Sequence, residues 1–308
     1  MNLIVIDKPS GPSSFAVLKR IKKALVTAGI SKNDRIGHGG TLDPMASGVL
    51  PICLGEGTKV LPFLLDADKE YEAIVRLGVV TDTLDATGQI LRQEPVLDMD
   101  EARVRDALAR FAGQIEQVPP MFSALKREGK PLYKYAREGQ VIDRKSRKVT
   151  IHAIELLAFG APNLVSFRVR CSKGTYVRTL AADLGETLGV GGHLASLRRT
   201  VSGPFNLGQS ITPEAVEARV EASQPLPFLT PLDALAHLPR IVVDEEQQLA
   251  LVRGQNRRFA ELFGQPLPEG PVVAVAGSPP MIVAILERDA EGGVVIRRGF
   301  QPQRSLAK

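Results

Sequence analysis

The apolar positions of this chain follow two periods, and the switches between them mark its elements. Ile4–Val5–Ile6 is a short apolar run of the kind a buried strand makes. After Ser13 and Ser14, either of which can cap a helix, Val17, Leu18, Ile21 and Leu25 share one helical face to about Ala28, and Gly29 stops it. The opposite face carries Lys19, Arg20, Lys22 and Lys23. Tyr71–Val79 predicts a strand, followed by the turn-rich segment Thr81–Gly88. Asp98 with Glu101 predicts the start of an amphipathic helix to about Phe111. Leu164–Cys171 alternates, with Val165, Phe167, Val169 and Cys171 inward and Ser166, Arg168 and Arg170 outward. The next predicted element is a helix from Tyr176 to about Leu188.

The alternation changes character near the end. Gln224–Leu232, with Pro225, Pro227 and Pro231, reads as a linker. Beyond it, the short β-like runs Val272–Val275, Met281–Leu286 and Gly293–Ile296 are separated by Gly and Pro turns, as in a small barrel. The predicted division is therefore residues 1–237 and 238–308, and 308 residues suffice for a core of that size with a small appendage. No apolar run approaches the roughly 18 residues of a membrane span, and no signal-peptide pattern opens the chain. The two cysteines, Cys53 and Cys171, have no metal-ligand spacing. Neither a disulfide framework nor a metal centre is expected, and a reducing cytoplasm is the expected compartment.

Charge adds what hydropathy cannot. The net charge is only +5, but it is unevenly spread. Residues 1–38 hold seven Lys and Arg against two acids, residues 121–150 nine against three, and residues 168–199 six against two. The rest of the chain is acidic by ten charges. Three basic segments can build a surface for a polyanion, or they can be three solvated faces; composition leaves both open. The four tyrosines, Tyr71, Tyr133, Tyr135 and Tyr176, lie in or beside basic stretches, and aromatics among cations suit stacking of unpaired bases as well as ordinary packing.

The candidate chemistry is concentrated in Gly37–His38–Gly39–Gly40–Thr41–Leu42–Asp43–Pro44. Glycines admit close backbone approach and Pro44 stiffens the chain beyond it, so Asp43 is either a nucleophilic carboxylate on a rigid bend or part of an ordinary turn. Gly55–Lys59 lacks P-loop spacing, and no nucleophile elbow accompanies His38. Arg178, at the junction of the alternating strand and the next helix, can pair with a buried carboxylate or sit on the surface. Asp82 and Asp85 could partner Asp43 as a carboxylate pair, but their segment is full of turn formers and a polar turn is expected.

Taken together, these stretches resemble the TruB family, the bacterial tRNA pseudouridine-55 synthases. Lys8–Pro9–Ser10–Gly11 with Ser13–Ser14 is similar to the family's N-terminal signature, and Gly37–Pro44 continuing through Ala46–Pro51 to its catalytic motif. Lys69–Glu70–Tyr71, Val118–Ala124 with the basic segment after it, Lys173–Arg178 and Leu194–Arg199 come in the family's order. Gly39 departs from the Thr or Ser of many members.

The resemblance implies an α+β catalytic domain around a mixed, mostly antiparallel sheet, then a small C-terminal β-barrel of PUA type. It implies isomerisation of uridine to pseudouridine in the tRNA T-loop by base flipping, with no cofactor and no metal. Asp43 would be the nucleophile, Tyr71 would stack on the uracil, and Arg178 would pair with Asp43. Lys8, His38, Tyr176 and Leu197 would contact substrate. Lys19 and Lys22 on the first helix, with Lys126, Arg127, Lys130, Arg144, Lys145, Arg147 and Lys148 in an insertion at about 121–150, would contact RNA. The partner would be the tRNA T-arm, with no membrane, no required protein partner and a monomer as the default. A guide-RNA-dependent synthase is the rival within the class, which the lean N-terminus counts against. An RNA chaperone without chemistry is the rival outside it.

Overall fold

The computed structural model describes residues 3–123, 125–160 and 163–300. Ala124 of the Val118–Ala124 motif and residues 301–308 lie outside them. The first half runs β1 (Leu3–Lys8), α1 (Ser14–Thr27), β2 (Ile36–His38), β3 (Ser47–Leu54), α2 (Leu61–Asp66), β4 (Lys69–Leu77), β5 (Val79–Thr81), β6 (Ile90–Gln93), α3 (Glu101–Ala109) and β7 (Gly113–Gln117). The basic insertion is a small hairpin, β8 (Lys126–Arg127) and β9 (Lys130–Pro131), with α4 (Leu132–Arg137). The main sheet then resumes with β10 (Arg147–Gly160), β11 (Leu164–Cys171), α5 (Val177–Thr187), β12 (Gly192–Ser202) and β13 (Phe205–Asn206). Helices α6 (Pro213–Glu221) and α7 (Pro231–Ala234) lead to β14 (Arg240–Val242), α8 (Glu245–Val252), α9 (Asn256–Phe263), β15 (Val272–Ala276), β16 (Met281–Arg288) and β17 (Val294–Gly299).

The main sheet is ordered β1-β3-β12-β4-β11-β10-β7, with β2 and β13 paired at its margins. Its described pairings are antiparallel except β3 with β12, so the expected mixed, mostly antiparallel sheet is what forms. That parallel contact is short, Arg198 beside Ser47 and Arg199 beside Gly48, and it falls directly behind the loop that carries Asp43. The inward residues Val165, Phe167, Val169 and Cys171 are buried against Leu180, Ala181 and Leu184 of α5 and Val104 and Leu108 of α3. The β1–β3 end is buried on both faces. Ile4, Ile6, Leu50 and Ile52 pack on Val17, Ile21 and Leu25 of α1 and Val216 of α6. Leu3, Val5, Val49 and Cys53 share a core with Val273, Val275, Ile285 and Phe300.

Several boundaries differ from expectation. The α3 cap is Asp100, whose side chain accepts from Arg103 N; Asp98 sits at φ +52°, outside the helix. The Tyr71 strand begins at Lys69 and is broken by Gly78 at φ +80°. Tyr176 caps α5 rather than starting it. The proline stretch is not a free tether: Leu229 exchanges two backbone bonds with Leu3 at the outer edge of β1. The C-terminal region holds a four-stranded sheet ordered β14-β15-β16-β17, and closure into a barrel is not among its described pairings. It also holds two helices, α8 and α9, outside the short β-like runs the sequence predicts there. Asp244 caps α8 through a reciprocal bond with Gln247, and Gly264 ends α9 in the left-handed region.

Candidate active site

The loop between β2 and β3 is held from beneath at nearly every residue. Gly39 N donates to Pro51 O at 2.8 Å. Leu42 is bound twice by Ser14, whose hydroxyl accepts from Leu42 N and donates to Leu42 O, each at 2.8 Å. Gly11 N reaches Pro44 O at 2.8 Å, and Ser10 Oγ reaches Met45 O at 2.9 Å. Lys8 is fully buried under the loop, its ammonium donating to Pro9 O, Pro44 O and Ala46 O at 2.9, 3.2 and 2.6 Å. Burial lowers its pKa to about 8. The geometry makes Lys8 a strut of the loop, because three carbonyls use its donors and no face of it meets solvent.

Asp43 sits at the top of that support with its side chain 38 % exposed, so a bound molecule can reach the carboxylate. Arg178 approaches from the first turn of α5, its Nε 2.9 Å from Asp43 Oδ2. The arginine is held in turn: Nη1 donates to Thr83 O at 3.2 Å and Nη2 to Phe122 O at 2.7 Å. On its far side stands Asp85, buried, with Oδ2 3.8 Å from Nη1. Asp85 Oδ1 accepts from Thr83 Oγ1, Thr87 N and Thr87 Oγ1, so the turn orients it. One guanidinium thus serves two carboxylates. Burial, and secondarily the Asp85 charge, lift the Asp43 carboxyl above its ordinary range; Arg178 and Lys8 pull it down. Asp82 stays in the turn, accepting from Gln89 N, but Asp85 is more than the polar turn residue its sequence suggests.

Tyr71 lies on β4, in register with Val169 on one side and Arg199 on the other. It packs against the cluster that contains Leu42, Ala46 and Leu197. Burial raises its phenol above the usual range, and the nearby charge of Arg199 opposes that. Arg199 is 1 % exposed and donates to Val49 O at 2.8 Å and Gly40 O at 3.0 Å. His38 ends β2, its Nδ1 buried without a partner, and burial lowers its pKa. The Tyr176 backbone is tied to the buried Gln117 side chain, and the Arg147 guanidinium lies 5.8 Å from its ring centre.

The basic residues divide into two groups. Lys126, Arg127, Lys145 and Lys148 are exposed. Lys19 is exposed over the Phe15 ring at 4.7 Å, and Lys22 is half-buried. By contrast, Lys130 is tied to Glu138 and lies over Tyr135, and Arg144 turns inward to Pro119 O. These two take part in holding the insertion together. Arg20 is likewise consumed by Glu214 and Glu217. Among the described residues, no His, Cys, Asp and Glu group of three or more is placed to hold a metal, and no helix is long and apolar enough to cross a membrane.

Residues 28–177 match the family model for TruB family pseudouridylate synthase, N-terminal domain, and residues 178–236 that for the tRNA pseudouridylate synthase B C-terminal domain. A curated tRNA pseudouridine synthase B of Aromatoleum aromaticum is 52 % identical over 254 residues, covering 82 % of this chain and 80 % of the relative. That of Burkholderia mallei is 49 % identical over 265 residues, covering 86 % and 85 %. Among solved structures, a chain of a Cbf5-Nop10-Gar1 complex is 28 % identical with a TM-score of 0.70, covering 98 % of this chain and 85 % of that one. A chain of an H/ACA RNP bound to a substrate RNA containing 2'-deoxyuridine gives 26 %, 0.70, 98 % and 86 %. With about half of its residues identical to curated synthases over most of both chains, this chain belongs to the TruB family of pseudouridylate synthases.

Proposed function

We propose that this protein isomerises uridine to pseudouridine at position 55 in the T-loop of tRNA. The observation that carries the reading is Arg178 Nε at 2.9 Å from an Asp43 carboxylate that a substrate can still reach. Breaking the N1–C1′ bond requires electron density at the sugar, and a carboxylate can supply it as a nucleophile. A half-buried carboxylate alone would take up a proton; the guanidinium favours the ionised form. After the bond breaks, the uracil turns and C5 joins C1′. The C5 proton leaves and N1 gains one, so nothing is consumed. Tyr71 stacks on the base and assists removal of that proton, Tyr176 and Leu197 line the pocket, and His38 holds the opened loop.

A glycosidic bond inside a folded loop is hidden, so the base is flipped out at a cost of a few kcal/mol. Stacking on Tyr71, about 1–3 kcal/mol per base, and phosphate contacts by Lys126, Arg127, Lys145, Arg147, Lys148, Lys19 and Lys22 offset it. Residues 1–237 carry the chemistry and residues 238–308 add RNA affinity. The protein acts in the cytoplasm as a monomer. Relatives named tRNA pseudouridine synthase are about half identical to this chain, against about a quarter for the chains of the Cbf5 and H/ACA assemblies, which favours tRNA over a guide-RNA partner.

Purified protein incubated with a T-arm hairpin and no guide RNA, followed by pseudouridine mapping, tests the assignment. Conversion of one loop uridine is expected. Binding without conversion would leave an RNA-binding protein, and conversion only with added guide RNA would favour the rival synthase.

A further inference from the structure

Arg199 has the burial of a core residue and the chemistry of a functional one. It is 1 % exposed, and while Arg198 beside it takes Asp7 at 2.7 Å, Arg199 pairs with no carboxylate among the described residues. A guanidinium buried on carbonyls alone is an expensive group to keep. One glycine admits its backbone and another its guanidinium. At Gly48, φ +103°, a Cβ would fall 2.1 Å from the Arg199 carbonyl oxygen. At Gly40, φ +127°, one would lie 3.2 Å from its Nη1.

Its bonds join the parts of the site. Nε holds Val49 O on β3 and Nη2 holds Gly40 O on the Asp43 loop. Across the β4–β12 ladder it stands directly opposite Tyr71, so both side chains leave the same face of the sheet. Lys8, His38 and Lys69 lie within reach of its charge. A guanidinium is donor only, so a bond from Arg199 to the phenol it faces uses the oxygen as acceptor and leaves the phenol's own proton for another partner.

We infer that Arg199 is a positioning residue for the isomerisation, tying the Tyr71 phenol to the Asp43 loop and holding its oxygen as an acceptor. This rests on the reaction proposed above. It adds that the tyrosine's orientation is set by an arginine that never meets the RNA.

The test labels the full chain with tyrosine carrying 13C at Cζ. Four tyrosines give four resonances, and Tyr71→Phe assigns the one of interest. In Arg199→Met the Tyr71 phenol is expected to titrate about one pH unit or more higher, with Arg199→Lys in between. Single-turnover pseudouridine formation on the T-arm hairpin is expected to fall about 100-fold in Arg199→Met with hairpin affinity little changed, and to recover about tenfold in Arg199→Lys. A Tyr71 resonance unmoved in a folded variant, or rate and affinity falling together, overturns the inference. If Arg199→Met does not fold, Arg199→Lys decides on the same two readouts. The titration contains no RNA, so a wild-type protein that makes no pseudouridine defeats the proposed reaction and is told apart from a failure of the tether.

Discussion

Arg178 Nε and Asp43 Oδ2 lie 2.9 Å apart, and the two ends of that pair are unequally buried: the arginine side chain is 5 % exposed and the carboxylate 38 %. The cation is therefore part of the protein interior and the anion part of the cleft. Asp43→Asn keeps the shape but cannot attack a sugar. Pseudouridine formation under single-turnover conditions should be lost while hairpin binding persists, since stacking and phosphate contacts do not need the charge. Turnover by folded Asp43→Asn would remove Asp43 from its role.

The same substitution has a signed effect on stability. Asp43 titrates above its ordinary range in the folded chain, so the fold takes up a proton there more readily than the unfolded chain does. That contribution is present below the unfolded carboxylate range and lost as pH rises through the folded value. At neutral pH the ionised Asp43 is thus a burden on the fold. Asp43→Asn should melt no lower than wild type at pH 7.5, and its advantage should shrink as pH falls. A clear loss of Tm at neutral pH would contradict this.

Activity should follow the ionised form, giving a rate profile whose acid limb lies above the ordinary aspartate range, about 3.9. Asp85 contributes to that elevation. In Asp85→Asn the acid limb should move down in pH, because one of the two carboxylates sharing Arg178 has become neutral. An acid limb that stays in place would show that Asp85 only braces its turn.

Sequence made the helical faces and the Leu164–Cys171 strand legible because each needs only its own periodicity. The Asp43 loop was legible through its run of glycines. Asp85 was not, since it sits among turn formers and its partner, Arg178, lies far along the chain. Arg199 did leave a signal: it occupies the inward phase of a strand, two residues after the buried Leu197, where a charge is out of place. Lys8 reads as a motif residue, but only the fold shows its ammonium spent on three carbonyls. The helices α8 and α9 are short, eight residues each, and split by Gly254, so neither carries enough periodicity to stand out in the sequence.

The C-terminal sheet should be needed for stability as well as for RNA affinity. Val273, Val275 and Ile285 are buried with Leu3, Val5 and Val49 in one cluster, so removal of residues 238–308 uncovers the face of β1 and β3. Each such side chain contributes about 1.5–3 kcal/mol when buried. Truncation after residue 237 should lower the Tm markedly, and Ile285→Ala in the full chain should cost about 2–5 kcal/mol while leaving saturated single turnover intact at low temperature. A truncated protein as stable as the full chain would show that this shared core contributes little.

The division of the insertion's cations makes the last prediction. Lys126, Arg127, Lys145 and Lys148 are exposed, whereas Lys130 is paired with Glu138 and Arg144 is spent on Pro119 O. Each phosphate neutralised by a protein cation contributes about 0.7–0.9 to the slope of log affinity against log salt. Replacing the four exposed cations by Ala should therefore flatten the slope by about three and weaken binding most at low salt. Replacing Lys130 and Arg144 should instead loosen the hairpin–helix unit of the insertion, weakening binding by a similar factor at every salt concentration. Filter binding across a salt series separates the two. Equal slopes in both variants would show that burial does not sort these cations into contact and scaffold.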